Sequence, residues 1–217
     1  MRCPLYVTLG LILSVYGVTA IPDADAAGSG QSIASVRFIL HGLTVQPPNR
    51  QADKGRVNQQ LFSLYRLTTG ANQKASLGFL DRSVLHMNQR TDLVLKSANL
   101  TVVSRGEAAA VVTPGTRFRI QTANAIAAAV GTKFDVRITP ASSSSPYPGS
   151  SGGTAVPVLP PGTTTVSVVK GVVSVANGFG SVRVLPGFWT HVRPGKAPTP
   201  PTRHNAASDI QWTNGLP

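Results

Sequence analysis

The stretch AVGTKFDVRI, residues 129–138, decides how the rest of the chain is read. Small apolar residues lead into a Gly131-Thr132 step, after which Phe134, Asp135, Val136, Arg137 and Ile138 alternate. A period of two marks a strand with one face on a core, so Phe134, Val136 and Ile138 are predicted inward and Asp135 and Arg137 outward. Gly131 permits close backbone approach and Thr132 can bond the turn, which gives this entrance a structural role.

Similar short apolar runs, separated by turn residues, recur outward from this point. They predict strands near 61–67, 75–80, 83–87, 92–95, 100–103, 108–113, 117–121, 125–130, 133–139, 164–170, 171–176, 181–185 and 188–193. Upstream, Val36, Phe38 and Leu40 alternate with Arg37, Ile39 and His41 as a first strand, and polar residues 49–60 are expected to loop. Asn177-Gly178 lies between two valine-rich runs and predicts a tight hairpin through positive φ angles. The alanines of 124–130 favour helix locally, but Gly131 and the β-branched neighbours support a strand. The fold class expected is all-β, a single sandwich or roll of many short strands.

The ends and one interior segment differ from this body. Residues 1–26 combine Arg2, an apolar run from Leu5 to Val18 and the small-residue sites Val18-Thr19-Ala20 and Ala24-Asp25-Ala26, and are expected to be a secretory signal peptide. An uncleaved anchor is the alternative. The single cysteine, Cys3, lies within that segment. Residues 27–60 hold the N-terminal strand and polar loop, and 61–193 the main β domain. Residues 140–163 are Pro/Ser/Gly-rich and are expected to be a flexible insertion, and 194–217 a Pro-rich tail whose Ile210, Trp212 and Leu216 can dock back.

The chain has 217 residues and a net charge of +12. Removal of residues 1–26 leaves 19 basic and six acidic residues, a net charge of +13. Such an excess favours anionic partners, including cell-wall polymers, although the basic residues are dispersed over outward strand positions. Nucleic acid is not expected, because basic-aromatic interleaving is missing. Asp53, Asp81, Asp92, Asp135, Asp209 and Glu107 include no pair at general acid/base spacing. His41, His86, His191 and His204 stand far apart, so neither a metal site nor a catalytic site is expected, and no cofactor. A non-enzymatic role follows.

The order of small motifs then becomes informative. Leu67-Thr68-Thr69-Gly70-Ala71 is followed by Asp81-Arg82-Ser83-Val84-Leu85-His86-Met87-Asn88, then Thr91-Asp92-Leu93-Val94-Leu95 and Arg105-Gly106-Glu107. Gln121-Thr122-Ala123-Asn124, Gly131-Thr132-Lys133-Phe134-Asp135-Val136, Val168 to Val175 and Leu185-Pro186-Gly187 complete the series. Over 61–193 this resembles the extracytoplasmic domain of the FecR family, the ferric-citrate-type signalling regulators. Two departures stand out: Arg82 replaces the glycine of the family's Asp-Gly-Ser, and 140–163 lengthens the loop after the Gly-Thr-x-Phe strand. The resemblance marks Asp81, Ser83, Asn88, Gly106, Glu107, Gly131, Thr132, Phe134, Val136, Gly171 and Gly187 as family-motif residues, and reading them simply as turn and packing residues agrees with it. It implies a freestanding exported domain, in the periplasm or at the cell surface, that binds an envelope protein or small ligand in signalling. A basic module holding anionic wall polymers is the alternative.

Overall fold

The computed structural model describes residues 30–140 and 162–217. The expected signal peptide and most of the expected insertion lie outside the described residues. The chain alternates between two sheets. Strand β1 (Ala34–Leu40) lies in sheet I, β2 (Thr44–Gln46) and β3 (Asp53–Lys54) lie in sheet II, β4 (Gln60–Leu61) returns to sheet I and β5 (Arg66–Thr68) to sheet II. The hairpin of β6 (Lys74–Phe79) and β7 (Val84–Met87) belongs to sheet I, β8 (Asp92–Ser97) to sheet II, and β9 (Leu100–Val111) to both. Hairpins then follow in strict alternation: β10 (Arg117–Gln121) with β11 (Ile126–Val130) in sheet II, and β12 (Lys133–Thr139) with β13 (Thr163–Lys170) in sheet I. Next come β14 (Val173–Asn177) with β15 (Gly180–Val184) in sheet II, and β16 (Phe188–Val192) with β17 (Thr202–Arg203) in sheet I.

Sheet I therefore runs β4-β1-β6-β7-β9-β12-β13-β16-β17, antiparallel throughout. Sheet II runs β3-β2-β5-β8-β9-β10-β11-β14-β15, with one parallel pair, β9 with β10. One core fills the space between them. Alternation places Leu77, Leu85, Phe134, Val136, Val166 and Val168 inward from sheet I, and Leu67, Leu93, Phe118, Ile120, Val173 and Val175 inward from sheet II. Phe79 meets Phe118 edge-on across the core at 5.0 Å between ring centroids, a favoured aromatic geometry. The all-β expectation and the facing of Phe134, Val136 and Ile138 both hold.

Several local expectations need correction. The run 61–67 is not one strand. Leu64 adopts φ 67° in a turn that carries the chain from β4 to β5, so Leu61 and Leu67 enter the core from different sheets. Polar residues 49–60 contain β3 and the start of β4, because edge positions pair through backbone and need no apolar side chain. In β1 a bulge between Val36 and Phe38 reverses the side-chain parity, so Ile39 packs on the core and Phe38 stands opposite outward-facing Ser76. The separate strands expected at 100–103 and 108–113 are one strand, β9.

The hairpin at 177–178 exists, but neither Asn177 nor Gly178 has a positive φ. Asn177 acts through its side chain instead: Oδ1 accepts from the Phe179 N–H at 2.9 Å, while Nδ2 donates to the carbonyls of Asn124 and Lys196. Thr139 pairs with Thr163, so the segment between β12 and β13 leaves and re-enters one hairpin. Past β17 lie a short helix α1 (Ala206–Asp209) and a 3-10 turn (Gln211–Thr213), with Ala206, Ile210 and Thr213 buried. The folded unit thus extends beyond 61–193 at both ends. No helix among the described residues is long and apolar enough to cross a membrane.

Candidate functional site

Glu107 is the hub of the polar structure on sheet I. It directly follows Gly106, where β9 passes from one sheet to the other with φ +87°. A Cβ on Gly106 would lie 2.5 Å from Thr91 Cα and 2.7 Å from the Arg90 carbonyl oxygen, so only glycine fits. Thr91 secures the bend: its Oγ1 donates to the Glu107 carbonyl and accepts from the Glu107 N–H, both at 3.0 Å. Asn88 Nδ2 donates a hydrogen bond to Glu107 Oε2, and its backbone N–H donates to the Glu107 carbonyl at 3.0 Å. The motif residues Asn88, Gly106 and Glu107 therefore meet at one point.

Cross-strand register carries the network outward. Glu107 stands opposite Arg137, whose Nε donates to Glu107 Oε1 at 2.7 Å. Arg137 also lies 3.8 Å from Asp209 of α1, and Asp209 Oδ2 lies 2.9 Å from His204 Nε2. The His204 ring stacks on Trp189 of β16 at 3.7 Å and 6°. Lys74 Nζ donates to the Trp212 carbonyl at 3.0 Å. Residues 204–213 consequently close over the outer face of sheet I. Asp135, expected at a solvated position, is only 2% exposed for this reason.

That enclosure shapes the electrostatics. Burial, with the nearby Glu107 charge adding to it, holds the Asp135 carboxyl well above the usual carboxylate range. Its Oδ1 has no hydrogen-bond partner, and neither does Oγ of Ser167, the residue directly opposite on β13. His86 accepts or donates through Nδ1 to Ser76 Oγ at 2.8 Å, and burial, helped by Lys133, lowers its pKa to about 4. Burial likewise lowers His191, which bonds Thr165 Oγ1 at 2.9 Å. Three carboxylates of the chain thus gather around Arg137, an association no sequence spacing could reveal because Asp209 arrives from the C-terminal segment. No group of His, Cys, Asp and Glu among the described residues could hold a metal ion. The cluster is a latch between α1 and sheet I rather than an open cleft.

The remaining motif residues stand elsewhere. Asp81 accepts from the Ser83 N–H and Oγ, both at 2.9 Å, and so shapes the β6–β7 turn. Arg82 takes φ 67° there, the conformation that the family's glycine adopts freely. Gly131 has φ +59°, and a Cβ there would sit 3.1 Å from Pro114 Cα. Thr132 packs against Gly171 but its buried Oγ1 makes no hydrogen bond, so it holds the turn by packing and not by the bond expected of it. Phe134 and Val136 lie in the core, and the Gly187 N–H donates to the Val168 carbonyl at 2.8 Å. Asp81, Gly131 and Gly171 are linked in series through Ser83, Thr113, Pro114 and Thr132, and form a run of turn contacts.

The outer face of sheet II differs in kind. Register sets Arg119, Ala128, Ser174 and Arg183 in one row across β10, β11, β14 and β15, and Arg117 opposite Val130 in the next. Ile126 is 40% exposed and Val130 52%. Arg117, Arg119 and Arg183 form no ion pair with described residues. Nothing among the described residues covers this face, so it offers a basic and partly apolar surface.

Comparison with known proteins adds the lineage. The family model described as FecR protein matches residues 65–174, about half of the chain. The chain belongs to the FecR family. No curated protein matches it. Two crystal structures of a candidate anti-sigma factor from Parabacteroides distasonis ATCC 8503, at 1.65 and 2.50 Å, share its fold at 20% identity, with TM-scores of 0.52 and 0.50. Each match covers 69% of this FecR chain and 65% or 64% of the other protein, so the chain spans somewhat less than two thirds of that protein's length.

Proposed function

We propose that this FecR family chain is an exported, non-enzymatic domain that engages a partner protein or ligand in envelope signalling. The observation that carries the reading is the contrast between its two outer faces. Sheet I is closed by residues 204–213, whereas the basic face of sheet II lies uncovered among the described residues. Surfaces of that kind serve binding. Family membership and the likeness of fold to a candidate anti-sigma factor support a signalling context. Capture from an envelope extract, washed at low and high salt, tests it. A protein retained at high salt is expected.

A second reading has its own support in the +12 charge and the three arginines without ion pairs: a wall module held by anionic polymers. Polyanion attachment weakens steeply with salt as counterions are released. Retention of polymers alone, lost at high salt, would favour that module over the signalling domain.

A further inference from the structure

We propose that the outer face of sheet II docks an acidic amphipathic helix of a partner protein, an inference that rests on the binding role above and names the chemistry of its partner. The face has two cationic flanks: Arg117 and Arg119 on β10, and Arg183 on β15. Between them lie Ile126, Ala128 and Val130 on β11 and the small residues Ser174 and Ala176 on β14. Three strand steps separate Arg119 from Arg183, about 14 Å at 4.7–4.9 Å per step. A helix with its side chains is about 10–12 Å across. Lying along the strands, it would set an apolar stripe on Ile126 and Val130 while carboxylates on its two shoulders reach the arginines.

Other occupants fit less well. A hydrophilic polyanion would leave the apolar strip against water, which gains nothing from it. A second copy would bring arginines against arginines, a repulsive pairing. The acid nearest in the same sheet, Asp92, is already engaged by Arg66 Nε at 2.9 Å and does not neutralise the patch.

The test uses the full chain and a fluorescein-labelled 18-residue helical peptide with a leucine stripe flanked by glutamates. Anisotropy titrations at about 0.15 M salt compare it with a scrambled peptide of the same composition, polyglutamate and phosphatidylglycerol vesicles. The helical peptide is expected to bind about tenfold or more tighter than the scrambled peptide or polyglutamate. Arg119→Glu combined with Arg183→Glu should lose about tenfold or more, Ile126→Ser should also weaken binding, and Arg193→Glu, next to β16 in sheet I, should change nothing. Equal binding of the scrambled peptide or polyglutamate, preference for the vesicles, or full binding by the double variant with an unchanged melting temperature would overturn the proposal. Envelope capture with the double variant separates the two levels. A partner still retained by it leaves the signalling role standing and removes this face, whereas no partner retained by the native chain removes the signalling role itself.

Discussion

Arg82 shows how a single backbone angle departs from what its residue prefers. It sits at φ 67° in the β6–β7 turn, where a side chain crowds the following carbonyl. Arg82→Gly is expected to stabilise the fold by about 0.5–1 kcal/mol, the strain relieved being partly offset by a more flexible unfolded chain; thermal melting reads this as a rise of a few degrees. Gly106→Ala should do the reverse and cost about 3 kcal/mol or more, because its Cβ would overlap the backbone of Arg90 and Thr91. Two of the buried titratable groups, His86 and Asp135, set opposite limits with pH. His86 holds its pKa at about 4, below the ordinary 6.5 or so, so the unfolded chain binds the extra proton and stability falls as pH drops through that window. His86→Gln should flatten this loss in melting curves between pH 7 and 4. Asp135 is raised, so its contribution is fully present below the unfolded value and fades as pH rises through the folded one. Asp135→Asn, neutral at every pH, is expected to melt no lower than the native chain at neutral pH and to remove that decline.

The C-terminal segment illustrates what burial of an element adds. Ala206 and Ile210 are buried, Asp209 joins Arg137 and His204, and Lys74 holds the Trp212 carbonyl. Deletion of residues 204–217 should cost about 2–4 kcal/mol and lower the melting temperature by roughly 2–4 °C per kcal/mol. Strands were the most legible elements. The alternation of 133–139 and the valines of 164–176 announce their inward faces because a period of two survives wherever one face meets a core. Where parity breaks, the pattern misleads: the bulge after Val36 turns Ile39 inward, and the turn at Leu64 splits one apolar run between two sheets. The latch was legible only in part. Glu107 and Asn88 stand out through their motif, but the approach of Asp209 and His204 depends on register across four strands and on a segment with no periodicity. The exposed face of sheet II was half-visible, as outward arginines; their alignment with Ile126 and Val130 came from pairing alone.

At the scale of the whole molecule, the chain crosses repeatedly from one sheet to the other and pairs strands far apart in sequence, so most contacts join distant residues. Such topologies fold slowly, and refolding kinetics slower than those of a helical bundle of this length are expected. The sheets also share one core, and calorimetry should record one cooperative transition whose van't Hoff and calorimetric enthalpies agree. The shared strand has a mechanical meaning as well. Residues 100–105 of β9 ladder into sheet II and residues 106–111 into sheet I, so one continuous strand ties the two sheets together at Gly106. A load applied to one outer face therefore passes to the other sheet along this single strand, through the glycine at its midpoint.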